Sequence, residues 1–365
     1  MSSPFLKEDA QFMVRALRLA EKGLYTTDPN PRVGCVVVKE GVIVGEGWHQ
    51  RAGEAHAEIN ALNQAGKRSI GATVYVTLEP CSHHGKTPPC ADALIKGKVA
   101  RVVIAMQDPN PQVSGNGMRR LKEADVEVCC GLLEQEAEML NPGFCKRMRV
   151  GLPYIRSKLA MSLDGRTAMA SGESKWITGA DARKDVHRLR ARSSAMFTGV
   201  QTVLVDDPSL TARLEGEIEV SQPWRVIVDS RLQMSPQAAM AQLEGDNILL
   251  TISKDLKRHK LLEAAGFRVV VVSEKEGHID LEESFEMLAS YGLNEVMVEA
   301  GAVLNGALLK AGLVDEWIVY MAPCVMGSSA RGLFDLPGLE AMGDRFKLKL
   351  KETRMVGGDL RLTFR

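Results

Sequence analysis

His56 and Glu58 form an H-x-E pair, and Cys81 and Cys90 follow inside the stretch EPCSHHGKTPPC at residues 79–90. One imidazole and two thiolates are borderline-to-soft donors that suit Zn2+ and leave its fourth tetrahedral position open, as a catalytic rather than a structural zinc requires. Two thiolates already cancel the charge of the ion, so water there is acidified less than under three neutral imidazoles, and a neighbouring base must help. Glu58, two residues from a ligand, is placed to take that proton and pass it to a leaving group. Taken singly, each residue has a plainer reading, because buried cysteine and histidine are usually packing. The set and its spacing are what point to chemistry. A closed structural site, with His83 or His84 as fourth donor, is the alternative, and it leaves Glu58 without a task. Four of the seven histidines stand at positions 49, 56, 83 and 84. Cys35, Cys129, Cys130, Cys145 and Cys324 lie in or beside apolar strands and are expected in the core.

Regular elements must hold these groups. Residues 8–22, EDAQFMVRALRLAEK, place Phe12, Met13, Ala16, Leu17 and Ala20 at helical spacing, with Gly23 as a stop. VGCVVVKEGVIVGEGWHQ reads as two β-branched runs around a Lys-Glu-Gly turn, a hairpin by its turn chemistry. A helix from about Ala57 carries His56 and Glu58 at its start, the strand ATVYVTLEP leads into Cys81, and a helix opening at PPCADALI carries Cys90. Helix N-termini favour the ionised thiolate. The strand ARVVIAM, a helix from about Gly117 and a strand near VEVCC complete an α/β layered half. At residues 144–153 the pattern lapses into basic, turn-forming CKRMRVGLP, the expected linker between domains 1–146 and 147–365. A second α/β series follows, with strands YIRSKLAMS, SAMFTGV, WRVIVDS, NILLTIS, FRVVVVS, EVMVEAG and DEWIVYMAP. In it VMVEAGAVLNGALL is a strand, a glycine turn and a helix whose N–H groups can cradle a phosphate. Such turns are common and the full dinucleotide fingerprint is missing, so these residues alone do not make a reductase.

The chain has 365 residues, more than one core usually supports, and its 46 Lys+Arg balance 46 Asp+Glu. No global field draws it to nucleic acid or an anionic membrane, and the expected partner is a small molecule. MSSPFLKEDAQ lacks a basic segment followed by an apolar one, and no run of about 18 apolar residues occurs. A soluble cytoplasmic chain is expected, and in a reducing compartment seven cysteines are ligands or core residues before they are disulfides. A nucleic-acid-editing deaminase with an accessory domain is the rival reading; it wants basic surface and stacking aromatics, whereas aromatics here are 5%.

H-x-E followed by P-C and a second cysteine resembles the zinc nucleobase deaminases, with eight residues between the cysteines instead of two. The insertion SHHGKTPP brings a lysine, a threonine and two imidazoles, groups that suit a phosphate. TTDPNPRVGCVVV, GWHQRAGEAHAE, TLEPCSHHGKTPPC and MQDPNP resemble the deaminase half of the bifunctional riboflavin-biosynthesis deaminase/reductase family. KLAMSLDGRTA, SGESKWITG, LRARSSA, TGVQTVLVDDPSLTAR, VEAGAVLNGALL and GLVDEWIVYMAP resemble its reductase half.

The resemblance implies a cytidine-deaminase-like three-layer α/β domain followed by a dihydrofolate-reductase-like α/β domain. It implies hydrolysis of the 2-amino group of 2,5-diamino-6-(5-phosphoribosylamino)pyrimidin-4(3H)-one, then reduction of the ribosyl chain to ribityl with NADPH, in a homo-oligomer. By matching positions, His56, Cys81 and Cys90 would hold Zn2+ and Glu58 would move protons. Asn30, His49, His83, Lys86 and Thr87 would hold the substrate of the first reaction, the last three near its phosphate. Lys158, Ser174, Arg190, Leu210, Arg213 and Glu299 would face the substrate of the second. Ala160, Trp176, Thr202, Asp206 and Ser230, with the turn made by Gly301, Ala302, Val303, Leu304, Asn305 and Gly306, would face NADPH.

Overall fold

The apolar stripe near the N-terminus folds as α1 (Asp9–Ala20), which buries Phe12, Met13, Ala16 and Leu19. The expected hairpin joins β1 (Gly34–Lys39) to β2 (Val42–Trp48) as an antiparallel pair. Its turn residues Glu40 and Gly41 both have positive φ, 51° and 75°, the pair of conformations that matches the twist of the flanking strands. Then come α2 (Ala57–Ala65), β3 (Thr73–Leu78), α3 (Cys90–Lys96), β4 (Arg101–Met106), α4 (Asn116–Glu123), β5 (Glu127–Cys130), α5 (Glu134–Leu140) and α6 (Pro142–Val150). The strands form one sheet in the order β2-β1-β3-β4-β5, with β3, β4 and β5 parallel. A Cβ on Gly34 would meet the backbone of α1, 2.7 Å from Ala20 N, whereas one on Gly47 would meet α2, 2.6 Å from Ala61 N. Gly47 pairs with Cys35, the neighbour of Gly34, so the two glycines lie on opposite faces of the sheet. Helices therefore cover both faces, in three layers. This is a computed structural model, and it describes residues 4–82, 88–111, 113–216 and 218–365.

The stretch expected as a linker is instead helical through Val150: α6 starts on Pro142, ends at Gly151 with φ 73°, and buries Cys145 in the core. A sparse apolar face behind a basic one hid it. The chain divides into two units at this point, Met1–Gly151 and Leu152–Arg365.

The second unit contains β6 (Tyr154–Ser162), β7 (Arg166–Ala168), α7 (Ala180–Ala191), β8 (Ala195–Gly199), α8 (Val200–Asp206), β9 (Trp224–Val228), β10 (Asn247–Thr251), α9 (Leu256–Ala264) and β11 (Phe267–Val271). It continues with β12 (Glu274–Lys275), β13 (His278–Ile279), α10 (Leu281–Ser290), β14 (Glu295–Val298), α11 (Ala302–Lys310), β15 (Glu316–Ala322), β16 (Arg331–Gly332), β17 (Leu350–Val356) and β18 (Asp359–Phe364). Nine of these strands form a sheet in the order β11-β10-β9-β8-β14-β6-β15-β18-β17, parallel as far as β15. All seven expected strands are in it. The hairpin β17–β18 was not expected, because the buried residues of β18 are Asp359, Arg361 and Thr363 rather than an apolar set. After β8 the chain leaves through α8 toward β9, and after β14 it leaves through α11 toward β15 on the other side. The ends of β8 and β14 therefore flank the place where open α/β sheets bind ligands. Among the described residues no helix is long and apolar enough to cross a membrane.

Candidate active sites

His56 is the residue just before α2, with extended backbone, and Glu58 lies in that helix's first turn. Cys90 opens α3, and its N–H donates to Cys81 Sγ at 3.3 Å. These elements bring His56 Nδ1 to 3.6 Å from Cys81 Sγ and 3.2 Å from Cys90 Sγ, with all three donor atoms within 4.8 Å of one another. Ligand bonds of about 2.0–2.3 Å place neighbouring donors of one tetrahedral ion about 3.5 Å apart, so the set fits Zn2+. Its protonation behaviour fits as well. A hydrogen bond from the Cys90 thiol holds Cys81 down to about 4, and the same bond, with burial, pushes Cys90 far up. Glu58 is buried; burial first, then the charge of Cys81, pushes its carboxyl up to about 7.

Asn30 and His49 are brought to the same place. His49 Nδ1 lies 3.2 Å from the carbonyl of Ala55, which can only accept, so the ring proton sits on Nδ1. Nε2 then accepts from Asn30 Nδ2 at 3.0 Å, which fixes the orientation of that amide. The His49 ring stands edge-on to that of His56, 5.4 Å between centroids, and burial keeps it neutral by lowering its pKa. His83, Lys86 and Thr87 lie outside the described residues.

In the second unit Glu299, just beyond β14, takes a two-pronged contact from Arg190 on α7, Nε–Oε1 2.6 Å and Nη2–Oε2 2.9 Å. Burial would raise the Glu299 carboxyl, but the charges of Arg190 and Lys158 outweigh it and hold the group at about 2. Lys158, on β6, is lowered by burial and partly restored by Glu299. Arg190 Nη1 also donates to the carbonyl of Thr211 at 3.1 Å, beside buried Leu210. His187, one turn before Arg190, accepts from Arg213 N–H at 3.2 Å. The sequence reading missed His187, although H-x-x-R on a helix places both side chains on one face.

Asp206 closes α8 and pairs with Lys175 at 3.1 Å, which brings the two residues flanking that lysine, Ser174 and the exposed Trp176, toward that helix end. Thr202 is on α8, Ala160 on β6, and Ser230 follows β9, its carbonyl accepting from Thr251 Oγ1. Gly301 precedes α11 in extended conformation, a Cβ there would meet open space, and Leu304 Cδ2 would lie 3.6 Å from a Cβ on Gly199, at the start of α8. The two helix starts are therefore adjacent. Asn305 and Gly306 turn inward instead. Ser157 Oγ donates to Asn305 Oδ1 at 2.6 Å, Asn305 Nδ2 donates to the carbonyls of Ala300 and Gly301, and Gly306 packs on the backbone of Asp335.

A family model described as the RibD C-terminal domain matches residues 153–362, and one described as the cytidine and deoxycytidylate deaminase zinc-binding region matches residues 6–106. The riboflavin biosynthesis protein RibD of Escherichia coli (strain K12) is 52% identical, over 97% of this chain and 98% of its own. That of Haemophilus influenzae is 49% identical, over 99% and 98%. Among solved structures, Acinetobacter baumannii RibD (form 1) superposes with a TM-score of 0.93 at 44% identity, covering 99% of each chain. A diaminohydroxyphosphoribosylaminopyrimidine deaminase/5-amino-6-(5-phosphoribosylamino)uracil reductase from Thermotoga maritima gives 0.84 at 34%, covering 98% of each.

Proposed function

The chain belongs to the RibD family of bifunctional riboflavin-biosynthesis enzymes, and we propose that its two reactions are divided between the His56, Cys81, Cys90 and Glu58 cluster and the Lys158, Arg190 and Glu299 cleft. The enzyme hydrolyses the 2-amino group of 2,5-diamino-6-(5-phosphoribosylamino)pyrimidin-4(3H)-one and then reduces the ribosyl chain with NADPH. A nucleic-acid-editing activity is not favoured.

In the first site Zn2+, held by His56, Cys81 and Cys90, supplies the Lewis acidity that makes water nucleophilic near neutral pH. Glu58 does the proton work. Its carboxyl, raised by burial, accepts a proton from the attacking water and returns it to the departing amine, so that water and the aminopyrimidine become the oxo product and ammonia. Asn30, with its amide fixed by His49, orients the pyrimidine. In the second site NADPH supplies hydride, and the chain supplies binding and charge. Arg190 and Arg213 anchor the phosphate, and Lys158 holds the opened sugar's carbonyl or imine carbon next to the cofactor. His83, Lys86 and Thr87 complete the first substrate's phosphate contacts in this reading. Ser174 and Leu210 line the second substrate, and Ala160, Trp176, Thr202, Asp206, Ser230 and residues 301–304 line NADPH, with Asn305 and Gly306 seating α11 behind them.

We draw the boundary of the deaminase domain at Gly151 rather than 146, because α6 is one helix to Val150. A homo-oligomer is favoured by β17, an exposed sheet edge that carries exposed Leu350 and Met355. A cytoplasmic setting is favoured by metal-binding thiols that must stay reduced.

The observation that carries the reading is the spacing of the three donors beside a buried carboxylate. Purified protein should hold about one zinc per chain, and Cys90→Ser should lose it, because a hydroxyl replaces a thiolate. Full zinc in that variant would remove the assignment.

A further inference from the structure

Cys81 lies three residues beyond β3, outside any helix or strand; α3 holds it from one side, through Cys90 N–H on its Sγ at 3.3 Å and Ala91 N–H on its carbonyl at 3.1 Å, and the turn before it must hold it from the other. Glu79 is the nearest fixed point. Its side chain is buried and its carboxylate accepts three backbone N–H groups: Asp108 at 3.2 Å and Gly115 at 3.0 Å on Oε2, and Met118 at 3.1 Å on Oε1. Its own N–H donates to Met106 O at 3.0 Å. Gly115 and Met118 belong to the start of α4, so one carboxylate gathers the end of β3, the loop after β4 and the first turn of α4. Pro80, between Glu79 and Cys81, packs so closely on Gly117 that a Cβ there would collide with its carbonyl oxygen. Two independent contacts thus pin the same short turn to α4, and Cys81 is the next residue.

We infer that Glu79 is a positioning residue for the metal centre: it ties Glu79-Pro80-Cys81 to α4 and thereby holds Cys81 Sγ at ligand distance from His56. The inference rests on Cys81 being a zinc ligand. Only a carboxylate suits the three donors, since it accepts at both oxygens and donates at neither. Glutamine must turn its NH2 toward at least one backbone N–H, so a buried bond is lost and the turn shifts. Groups that orient metal ligands typically contribute about 10–100-fold in affinity.

The test is direct binding of Zn2+ and Co2+ to metal-free full-length protein, by competition with a chromophoric chelator and by the cobalt–thiolate absorption band. Glu79→Gln should bind Zn2+ about 10–100-fold more weakly and alter the cobalt band. Glu79→Asp, which keeps the charge but withdraws it by one methylene, should fall between Glu79→Gln and the parent. Gly117→Ala should shift the same band by pushing on Pro80 O and crowding Glu79 Oε1, and it carries the test if Glu79→Gln does not fold. NADPH oxidation should not change in any of them. Parental zinc affinity and cobalt band in Glu79→Gln would overturn the inference, even if that variant melts earlier. Cys81→Ser separates the two claims: if it keeps zinc, the ligand reading fails; if it loses zinc while Glu79→Gln does not, only the positioning role fails.

Discussion

Glu58 and Glu299 are both buried carboxylates, and their surroundings drive them in opposite directions. At Glu58 burial and the charge of Cys81 outweigh the pull of His56, and its carboxyl rises to about 7; Glu299 has Arg190 and Lys158, and falls to about 2. The first is suited to carry a proton and the second to remain a fixed negative charge. Glu58→Gln should keep zinc yet lose ammonia release by at least about 100-fold, the usual scale for a positioned acid–base group, while still oxidising NADPH. Near-parental deamination would refute its role. For Glu299 the sign runs through acid. A carboxylate depressed from 4.5 to about 2 stabilises the fold above pH 4.5, by roughly 3 kcal/mol, and that contribution drains away as the pH falls toward 2. Thermal midpoints of the parent and Glu299→Gln should therefore differ fully at about pH 5 and above, and the gap should shrink as the pH falls, closing only below about pH 2. A gap independent of pH would show that the ion pair is not its source.

At the scale of elements, the sequence is legible wherever chemistry or periodicity restricts residue type. The grouping of His56, Cys81 and Cys90 could be read because imidazole and thiolate at these spacings have few other uses, and α1, the first hairpin and the seven parallel strands of the second sheet could be read from their apolar periods. The cluster of Lys158, Arg190 and Glu299 could not be read from local pattern: Lys158 comes from β6, Arg190 from α7 and Glu299 from beyond β14, and only the tertiary fold makes them neighbours. The last hairpin was hidden because its inward side is ionic. Asp185 on α7 accepts from Tyr320 Oη at 2.5 Å, Arg361 at 2.9 Å and Arg354 at 3.0 Å, a polar interior that no hydrophobic period announces. Asn305 was assigned to the cofactor by motif, whereas its side chain is spent on Ser157 and the carbonyls before α11. The tight seat of that helix makes a prediction. Gly306→Ala would push a methyl group into the backbone of Asp335 and should lower the reductase unit's stability by about 1–3 kcal/mol and weaken NADPH binding. Unchanged melting and NADPH affinity would mean that α11 is not held as closely as its glycine implies.

At the scale of the whole molecule, the two units are built on different sheets around different cores, the first a five-stranded sheet with its zinc cluster and the second a nine-stranded one with its cleft. The central claim is that each unit holds one complete active site. It is tested most directly by following ammonia release and NADPH oxidation separately, with the aminopyrimidine and its deaminated product as substrates, in Cys81→Ser and Lys158→Ala. The account predicts that Cys81→Ser releases no ammonia yet oxidises NADPH at the parental rate when given the deaminated product, and that Lys158→Ala does the reverse. Ammonia release at the parental rate by Cys81→Ser, or loss of both reactions from either single change, would contradict it.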